Sequence, residues 1–124
     1  MTPGRDALAV VGSTHVGTAQ LVVARHVIEQ VLDRRRPDVI ISGGAFGVDT
    51  LARVIADERG IPVIEYLPRN RRWQPYGFKE RNLLIVRDCT RLLCLRSPAS
   101  RTYGSGWTAD VAEQEGRPVK RVML

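Results

Sequence analysis

Residues 39–52 have the sequence VIISGGAFGVDTLA, and this stretch decides the fold. It opens with a short apolar run, which is typical of a buried strand. The glycine-rich segment SGGAFGVD follows, and from Val48 to Ala56 apolar residues recur three and four positions apart. That spacing predicts a helix with one apolar face, ended by Gly60. The stretch therefore predicts a strand, a tight turn and a helix in direct succession.

The same alternation of apolar runs and helical spacing continues in both directions. Residues 79–88 fit either a strand or a buried helix, and we favour the helix because residues 91–96 make the better strand. Such alternation predicts an α/β fold: a three-layer, Rossmann-like, doubly wound parallel sheet of about five strands in the order 3-2-1-4-5. We expect residues 1–124 to form a single domain. The remaining predicted strands are residues 7–11, 62–67, 91–96 and 119–124, the remaining helices are residues 16–32 and 107–115, and the long loops are residues 68–78 and 97–106.

Length and composition exclude several classes of protein. The chain has 124 residues, of which 44% are hydrophobic and 26% are charged, close to the values of ordinary globular domains. No apolar run approaches the ~18 residues of a membrane span, and the first residues lack a secretory signal pattern. We therefore expect a cytoplasmic protein without a membrane partner. Cys89 and Cys94 are too few for a disulfide framework or a zinc site, so we expect buried thiols and no metal.

The charge balance is basic, with 19 Lys and Arg residues against 13 Asp and Glu residues and a formal net charge of +6. A basic chain invites a nucleic-acid partner, because cations on a phosphate backbone release counterions. Here the arginines fall into separate groups. Residues 34–36 suit the negative end of a predicted helix, Arg69, Arg71 and Arg72 lie in a loop, and Arg81 is placed to meet a ligand. The charge therefore favours a small anionic ligand over a polymer.

Glycine and hydroxyl residues follow three of the predicted strands. In such a sheet, ligands bind beyond the carboxyl ends of the strands, where the strand order reverses. Glycines let the backbone approach a phosphate closely, and helix N-termini offer it free N–H groups. The spacing is neither that of a P-loop nor G-x-G-x-x-G, which argues against standard nucleoside triphosphatases and NAD-dependent dehydrogenases. The turns predict an anion site formed by Gly12 and Ser13, by Ser42, Gly43 and Gly44, and by Gly104, Ser105, Gly106 and Thr108.

Three motifs also carry a resemblance to a known family. SGGAFGVDTLA at residues 42–52, YGFKERNLLIV at residues 76–86 and YGSGWTADVA at residues 103–112 resemble, at these intervals, the SLOG superfamily of Rossmann-like proteins and its YspA-type branch in particular. The resemblance covers essentially the whole chain and implies a site for a nucleotide or a nucleotide-derived ligand. Relatives include DprA, cytokinin-activating phosphoribohydrolases and molybdenum-cofactor carriers, so the fold alone does not fix the function.

Carried over to this sequence, the resemblance implies ligand-binding roles for further residues. Asp49 completes the GGAxGxD motif, while Arg81 and Asn82 match the family's RN motif. Asp49 also begins the second predicted helix, and we favour a role as its N-cap. The guanidinium of Arg81 suits a phosphate or carboxylate, and Asn82 either bonds a base or ribose or braces the neighbouring loop. The full candidate set is Gly12, Ser13, Ser42, Gly43, Gly44, Asp49, Arg81, Asn82, Gly104, Ser105, Gly106 and Thr108.

The sequence departs from the phosphoribohydrolase pattern at its catalytic position. Those enzymes resemble PGGxGTxxE, whereas the corresponding stretch here is YGSGWTADV, which puts Val111 at the position of the glutamate. Asp110 lies one residue earlier, and on a helix that turns it about 100° away. Glu65 and Glu80 are further carboxylates, but nothing in the sequence pairs them. We therefore lean towards a protein that is not an enzyme, and we assign no catalytic residue.

Aromatic residues lie in or beside the two long loops, at Trp73, Tyr76, Tyr103 and Trp107. They either stack on a base or pack in a subunit interface, and we expect a homo-oligomer. His15, in the first turn, either contacts phosphate or is simply solvated. The sequence leaves both alternatives open for the aromatic residues and for His15.

Three hypotheses follow from these patterns. The first is a sensor or carrier module that binds a nucleotide or a nucleotide-like phosphate ligand and needs no other cofactor. The second is a hydrolase that cleaves the N-glycosidic bond of a nucleoside phosphate with Asp110 or Glu80. The third, which we favour less than the first, is DprA-like binding of single-stranded DNA through Arg69, Arg71 and Arg72.

Overall fold

The computed structural model describes residues 4–98, 100 and 104–124. Strands and helices alternate along the described chain. In order they are β1 (Ala7–Gly12), α1 (Thr18–Arg34), β2 (Val39–Ser42), α2 (Val48–Glu58), β3 (Val63–Glu65), α3 (Phe78–Asp88), β4 (Arg91–Arg96), α4 (Gly104–Gln114) and β5 (Val119–Met123).

All strand pairs in the described residues are parallel and form one sheet in the order β3-β2-β1-β4-β5. The predicted fold class and strand order are therefore confirmed. β1 is central, since Ala9 pairs with Ile41 of β2 on one side and with Leu92 of β4 on the other. The chain first moves outward from β1 through β2 to β3 and then returns to β4 beside β1. The strand order thus reverses next to β1, and its carboxyl end is where a ligand is expected.

Two apolar cores cover the two faces of the sheet. Alternate residues of β1 point to opposite faces, because the side-chain period of a strand is two. Leu8 and Val10 belong to the core that contains Ile28 of α1 and Ile55 of α2. Ala7, Ala9 and Val11 belong to the core formed with α3 and α4. The sheet is therefore buried on both faces, as parallel sheets normally are.

Residues 79–88, which fit two structures by sequence, form a helix. α3 buries Ile85 and Val86 fully and leaves Leu83 40% exposed. This one-sided burial is typical of a helix that packs on a sheet. The prediction of a helix here is confirmed.

Several boundaries differ from those expected, and β3 and the start of α4 differ most; α1 spans Thr18–Arg34 where residues 16–32 were expected. β3 has three residues instead of the six of residues 62–67, because β2 is short and offers partners only to Val63, Ile64 and Glu65. α4 begins at Gly104 instead of Trp107. Its first turn contains two glycines, whose low helix propensity made the segment look like a loop.

The arginines of residues 34–36 lie at the end of α1, as expected, and make specific contacts there. Arg34 occupies the last turn. Arg35 pairs with Asp6 at 3.3 Å, and Arg36 donates a hydrogen bond to the carbonyl of Gly60 at 3.3 Å. These contacts tie α1 to neighbouring segments at the edge of the sheet opposite the strands' carboxyl ends.

Both cysteines are buried free thiols, as predicted. Burial raises the pKa of each thiol, which keeps it protonated and unreactive. No helix in the described part of the chain combines the length and the apolar character needed to cross a membrane.

Candidate ligand-binding site

A cavity of about 490 Å³ opens at the carboxyl ends of β1 and β2. Its walls come from α3, from the loop that precedes α3 and from the first turns of α4. Eight of the twelve predicted site residues line it. They are Gly12, Gly43, Asp49, Arg81, Asn82, Gly104, Ser105 and Thr108.

The other four predicted residues support the cavity without lining it. The hydroxyl of Ser13 accepts a hydrogen bond from the N–H of Ser97 at 2.8 Å and so joins the ends of β1 and β4. The hydroxyl of Ser42 accepts one from the N–H of Gly44 at 3.1 Å, which closes the turn after β2. Gly106 is buried in α4. These two hydroxyls shape the turns and are already engaged within the protein.

Gly12 and Gly43 are required by close packing. A Cβ on Gly12 would lie 2.3 Å from the carbonyl oxygen of Leu95, and one on Gly43 would lie 2.2 Å from Nη1 of Arg81. At Gly12 the clash is with backbone, so only glycine fits there, whereas at Gly43 the clash is with the end of the Arg81 side chain, which would have to move. We expected these glycines to let a ligand approach. They also have a structural role, because they leave room for the turns to meet β4 and α3.

Asp49 does not cap α2, so that prediction is wrong. The N-cap is Gly47, whose φ of 79° suits glycine, and Asp49 is the second residue of the helix. Its Oδ2 reaches back to accept the N–H of Ala45 at 3.2 Å in the preceding turn. The residue is 6% exposed and lines the cavity. Its other oxygen, Oδ1, is buried and has no hydrogen-bond partner among the described residues.

Burial raises the pKa of the Asp49 carboxyl to about 6, from an ordinary value of 3.8. Hydrogen bonding to Ala45 and the positive charge of Arg81 act in the opposite direction but do not offset the burial. A carboxylate with an unused, buried oxygen carries an uncompensated desolvation cost. A donor placed in the cavity would relieve that cost.

Arg81 joins the motifs into one structure. Its Nη1 donates to the carbonyl of Gly43 at 2.7 Å and to that of Tyr66 at 3.4 Å, and its Nε donates to Oδ1 of Asn82 at 2.8 Å. Burial lowers the pKa of the guanidinium, against the opposing attraction of Asp49. Within the described residues Nη2 donates to no acceptor, so one end of the fork is left for a ligand.

Asn82 is buried, and its side chain bonds the neighbouring Arg81. Because arginine can only donate, the atom that faces Arg81 is the amide oxygen of Asn82. The side chain therefore braces Arg81. Its amide nitrogen has no hydrogen-bond partner in the described part of the chain and belongs to a side chain that lines the cavity. The cavity is thus lined by a side chain with an unpaired donor as well as by Asp49.

The opposite wall combines a helix N-terminus with aromatic rings. Gly104 and Ser105 open α4, an 11-residue helix whose first N–H groups have no acceptor within the helix. The hydroxyl of Thr108 donates to the carbonyl of Gly104 at 2.8 Å and is therefore engaged. Trp73 and Trp107 meet edge to face, with ring centroids 4.9 Å apart. Both line the cavity.

The other aromatic and histidine candidates lie outside this arrangement. Tyr76 is 61% exposed and packs under the guanidinium of Arg69, 5.7 Å from its ring centre. Tyr103 lies outside the described residues. His15 is exposed and lies 3.1 Å from the hydroxyl of Thr14, which makes it a solvated turn residue.

The carboxylates considered for catalysis are engaged elsewhere. Asp110 accepts from Nη2 of Arg121 at 2.7 Å, and Glu80 accepts from the N–H of Gly77 at 2.7 Å at the start of α3. Glu65 is bonded to Arg53. None of the three lines the cavity.

The apolar lining was missed by sequence reasoning. Phe78 and Ile85 line the cavity together with Arg81 and Asn82. These four positions follow the three-and-four spacing of one helical face. That spacing, applied to the RN motif, was the signal that could have found them.

Comparison with known proteins places the chain in a family. The family model of DNA recombination-mediator protein A matches residues 2–70, more than half of the chain. The chain belongs to the DNA recombination-mediator protein A family. The matched region includes β1, the SGGAFGVD turn and Asp49, that is, one wall of the cavity. No curated protein matches the chain.

Solved structures share the fold of this family member over nearly its whole length. The molybdenum cofactor carrier protein of Chlamydomonas reinhardtii has a TM-score of 0.72 at 18% identity. The match covers 98% of this chain and 78% of the carrier protein chain. DprA of Streptococcus pneumoniae has a TM-score of 0.59 at 18% identity, with 94% and 58% covered. DprA of Helicobacter pylori, described by its single-stranded DNA binding mode, has a TM-score of 0.65 at 18% identity, with 94% and 65% covered.

These comparisons confirm the predicted SLOG assignment. At such identities the structures bear on the fold alone. The chain spans 58% and 65% of the lengths of the two DprA chains. The ligands of those longer proteins are therefore properties of those proteins and are not assigned to this chain by the likeness.

Proposed function

We propose that this domain binds a nucleotide or a nucleotide-derived phosphate ligand in the cavity beside β1, and that it acts as a sensor or carrier. The observation that carries the proposal is the meeting, in one cavity, of the α4 N-terminus, the open ends of Arg81 and Asn82, and the two tryptophans. A phosphate suits the helix N-terminus and a flat base suits the rings. The volume of about 490 Å³ is in the range of small-molecule sites, roughly 300–1,000 Å³.

The same residues support binding without hydrolysis. Asp49 is the one carboxylate among the described residues that line the cavity. Cleavage of an N-glycosidic bond typically needs a group that stabilises the sugar and another that handles the leaving base or the water. Asp110 and Glu80, the residues that the hydrolase hypothesis requires, are held by Arg121 and by the Gly77 amide. We therefore propose that the domain is a binding module.

Isothermal titration calorimetry with the whole chain tests this proposal. The ligands are the common ribonucleoside 5′-monophosphates, diphosphates and triphosphates, with the matching nucleosides as phosphate-free controls. We expect at least one phosphate ester to bind, and the corresponding nucleoside to bind about tenfold or more weakly, because charge-assisted hydrogen bonds to the phosphate are lost. No heat from any ester at millimolar concentration would refute the proposal.

A pair of aromatic variants locates the site. Trp107→Ala removes a ring of the cavity wall, whereas Tyr76→Ala removes an exposed ring that does not line it. We expect the first variant to weaken binding by about fivefold or more, since stacking on a base is worth about 1–3 kcal/mol, and the second to bind like the unmodified chain. Equal binding by both variants would place the ligand elsewhere.

Single-stranded DNA is the second candidate ligand, favoured by a separate observation. Arg69, Arg71 and Arg72 are exposed in the loop that contributes Trp73 to the cavity, and no carboxylate of the described residues forms an ion pair with them. The H. pylori relative is described as binding single-stranded DNA. Free arginines beside an aromatic wall are the usual means of holding such a strand.

Salt dependence tests the DNA candidate. Replacing Arg69, Arg71 and Arg72 by Gln should lower the affinity for an oligothymidylate and flatten its dependence on salt, because fewer counterions are released. The control replaces residues 34–36 by Gln, which removes equal charge at the opposite edge of the sheet. Affinity that does not vary with salt, or equal losses in both variants, would exclude binding through this loop.

A further inference from the structure

Asp49 lines the cavity and carries one hydrogen-bond acceptor that is not used within the protein. Its Oδ2 is engaged by the N–H of Ala45, while Oδ1 is buried and has no partner among the described residues. Buried polar atoms in native proteins nearly always have a partner, and a lone exception in a cavity calls for a ligand group. An ionised carboxylate only accepts hydrogen bonds. The missing partner is therefore a donor.

No neighbour of Asp49 among the described residues bonds Oδ1. Arg81 directs its Nη1 at the carbonyls of Gly43 and Tyr66 and its Nε at Asn82. Gly43 lies between the two charged side chains, with its Cβ position 2.2 Å from Nη1 of Arg81 and 3.1 Å from Oδ2 of Asp49. Nε and Nη1 of Arg81 are thus engaged elsewhere, its Nη2 bonds no acceptor among the described residues, and Oδ1 of Asp49 remains unpaired.

The three parts of a nucleotide differ in how well they suit this position. A phosphate is excluded, because its charge repels the carboxylate and finds free N–H groups at the start of α4. The base is drawn to the rings of Trp73 and Trp107 on the other wall. The sugar lies between base and phosphate in any nucleotide. Its hydroxyl groups are donors, and we assign one of them to Oδ1, with an exocyclic amine of the base as the alternative that the test separates.

Resting on the nucleotide site proposed above, we propose that Asp49 is a specificity-determining residue: its Oδ1 accepts a hydrogen bond from a ribose hydroxyl, so that the cavity takes ribonucleotides in preference to deoxyribonucleotides. A site built to bond a hydroxyl rejects the analogue that lacks it, because the buried acceptor is then left unpaired. Such a preference disfavours DNA as the ligand of this cavity, because DNA lacks the 2′-hydroxyl.

Calorimetry with sugar-modified ligands tests the proposal on the full chain. The ribonucleoside 5′-monophosphate that binds tightest is compared with its 2′-deoxy and 3′-deoxy forms. We expect at least one deoxy form to bind about tenfold or more weakly, as for loss of a hydrogen bond to a charged group. Equal affinities, within twofold, for all three ligands would overturn the role of Asp49 and leave the nucleotide site standing. Absence of binding by every ribonucleoside 5′-monophosphate would overturn the site itself.

Variants assign the preference to Asp49. In Asp49→Asn an amide replaces the charge at nearly unchanged size, and the ratio between ribo and deoxy affinities should fall to threefold or less. Asp110→Asn is the matched control, since Asp110 does not line the cavity, and should keep the full ratio. A second variant, Asp49→Leu, covers the case in which Asn still accepts the hydroxyl, and thermal melting verifies that each variant is folded. A full ratio in both Asp49 variants would overturn the proposal.

The base is the alternative source of a donor, and a last comparison separates it. Inosine 5′-monophosphate lacks the exocyclic amine of adenosine 5′-monophosphate but has the same sugar. We expect Asp49→Asn to change the affinities for these two ligands by the same factor. A variant effect confined to the ligand with the amine would show that Asp49 bonds the base and would overturn the assignment to ribose.

Discussion

At the scale of single residues, Gly43, Asp49 and Arg81 decide the shape of the site. The sequence motif predicted that the three belong together, and all line the cavity. It did not predict how, because the contacts join residues 38 positions apart and depend on the side-chain direction of α3. Nor did the motif distinguish an N-cap from a buried carboxylate. α2 has its N-cap at Gly47, two positions before Asp49, and Asp49 therefore lies inside the helix.

Replacing Gly43 by Ala tests the close approach of Arg81. A Cβ at this position would lie 2.2 Å from Nη1 of Arg81, so the guanidinium must shift and its bond to the Gly43 carbonyl is lost. We expect the free energy of unfolding in urea to fall by about 1–3 kcal/mol. Gly104→Ala is the control, because a Cβ there meets nothing within 4 Å, and it should leave stability the same or slightly higher. Equal effects of the two substitutions would contradict this account.

The carboxyl of Asp49 makes stability depend on pH. Its pKa is about 6 in the folded chain against 3.8 ordinarily, so the folded state binds more protons between these values and the free energy of unfolding falls as pH rises through them. The difference corresponds to about 3 kcal/mol at neutral pH. Asp49→Asn should therefore stabilise the ligand-free chain at neutral pH and lose this advantage near pH 3.8. Thermal unfolding at several pH values checks it, and an advantage that is constant with pH would count against the burial of this charge.

At the scale of elements, most of the fold was predictable from residue spacing. The strand order and the helical state of α3 were correct because apolar periodicity reports directly which side of an element is buried. The start of α4 was not predictable in this way. Gly104 and Gly106 resemble loop residues by composition, yet they lie in the first turn of a helix whose hydrogen bonds begin only later. The length of β3 likewise depends on how many residues its partner β2 offers, and the sequence of β3 alone does not reveal that number.

Glu80 belongs to this scale, because it begins α3. Its carboxylate accepts the Gly77 N–H at 2.7 Å. Glu80→Ala removes that bond and should lower the free energy of unfolding by about 1 kcal/mol, whereas Glu80→Gln should retain most of it. Urea unfolding of both variants checks this. If Glu80→Gln lost nucleotide affinity while its free energy of unfolding stayed close to that of the unmodified chain, Glu80 would act at the ligand, as the hydrolase hypothesis requires.

At the scale of the whole molecule, two arginine groups that contribute to the net charge of +6 lie apart. Residues 34–36 lie at one edge of the sheet, and Arg69, Arg71 and Arg72 lie near the other. This separation was visible in the sequence once the strands were placed, because their direction determines which loops share an edge. The expected homo-oligomer and the cytoplasmic location stay predictions. Analytical ultracentrifugation checks the first, and we expect a dimer that buries the exposed Phe46 and Leu67.

Tryptophan fluorescence tests the central claim most directly. The chain has two tryptophans, Trp73 and Trp107, and both line the cavity. A base that stacks on either ring must change its emission, so every fluorescent tryptophan reports on the proposed site. Titration with ribonucleoside 5′-monophosphates should give a saturable change in emission that is reduced in the Trp107→Ala variant. Emission that stays unchanged up to millimolar ligand, with correction for absorption, would contradict nucleotide binding in this cavity.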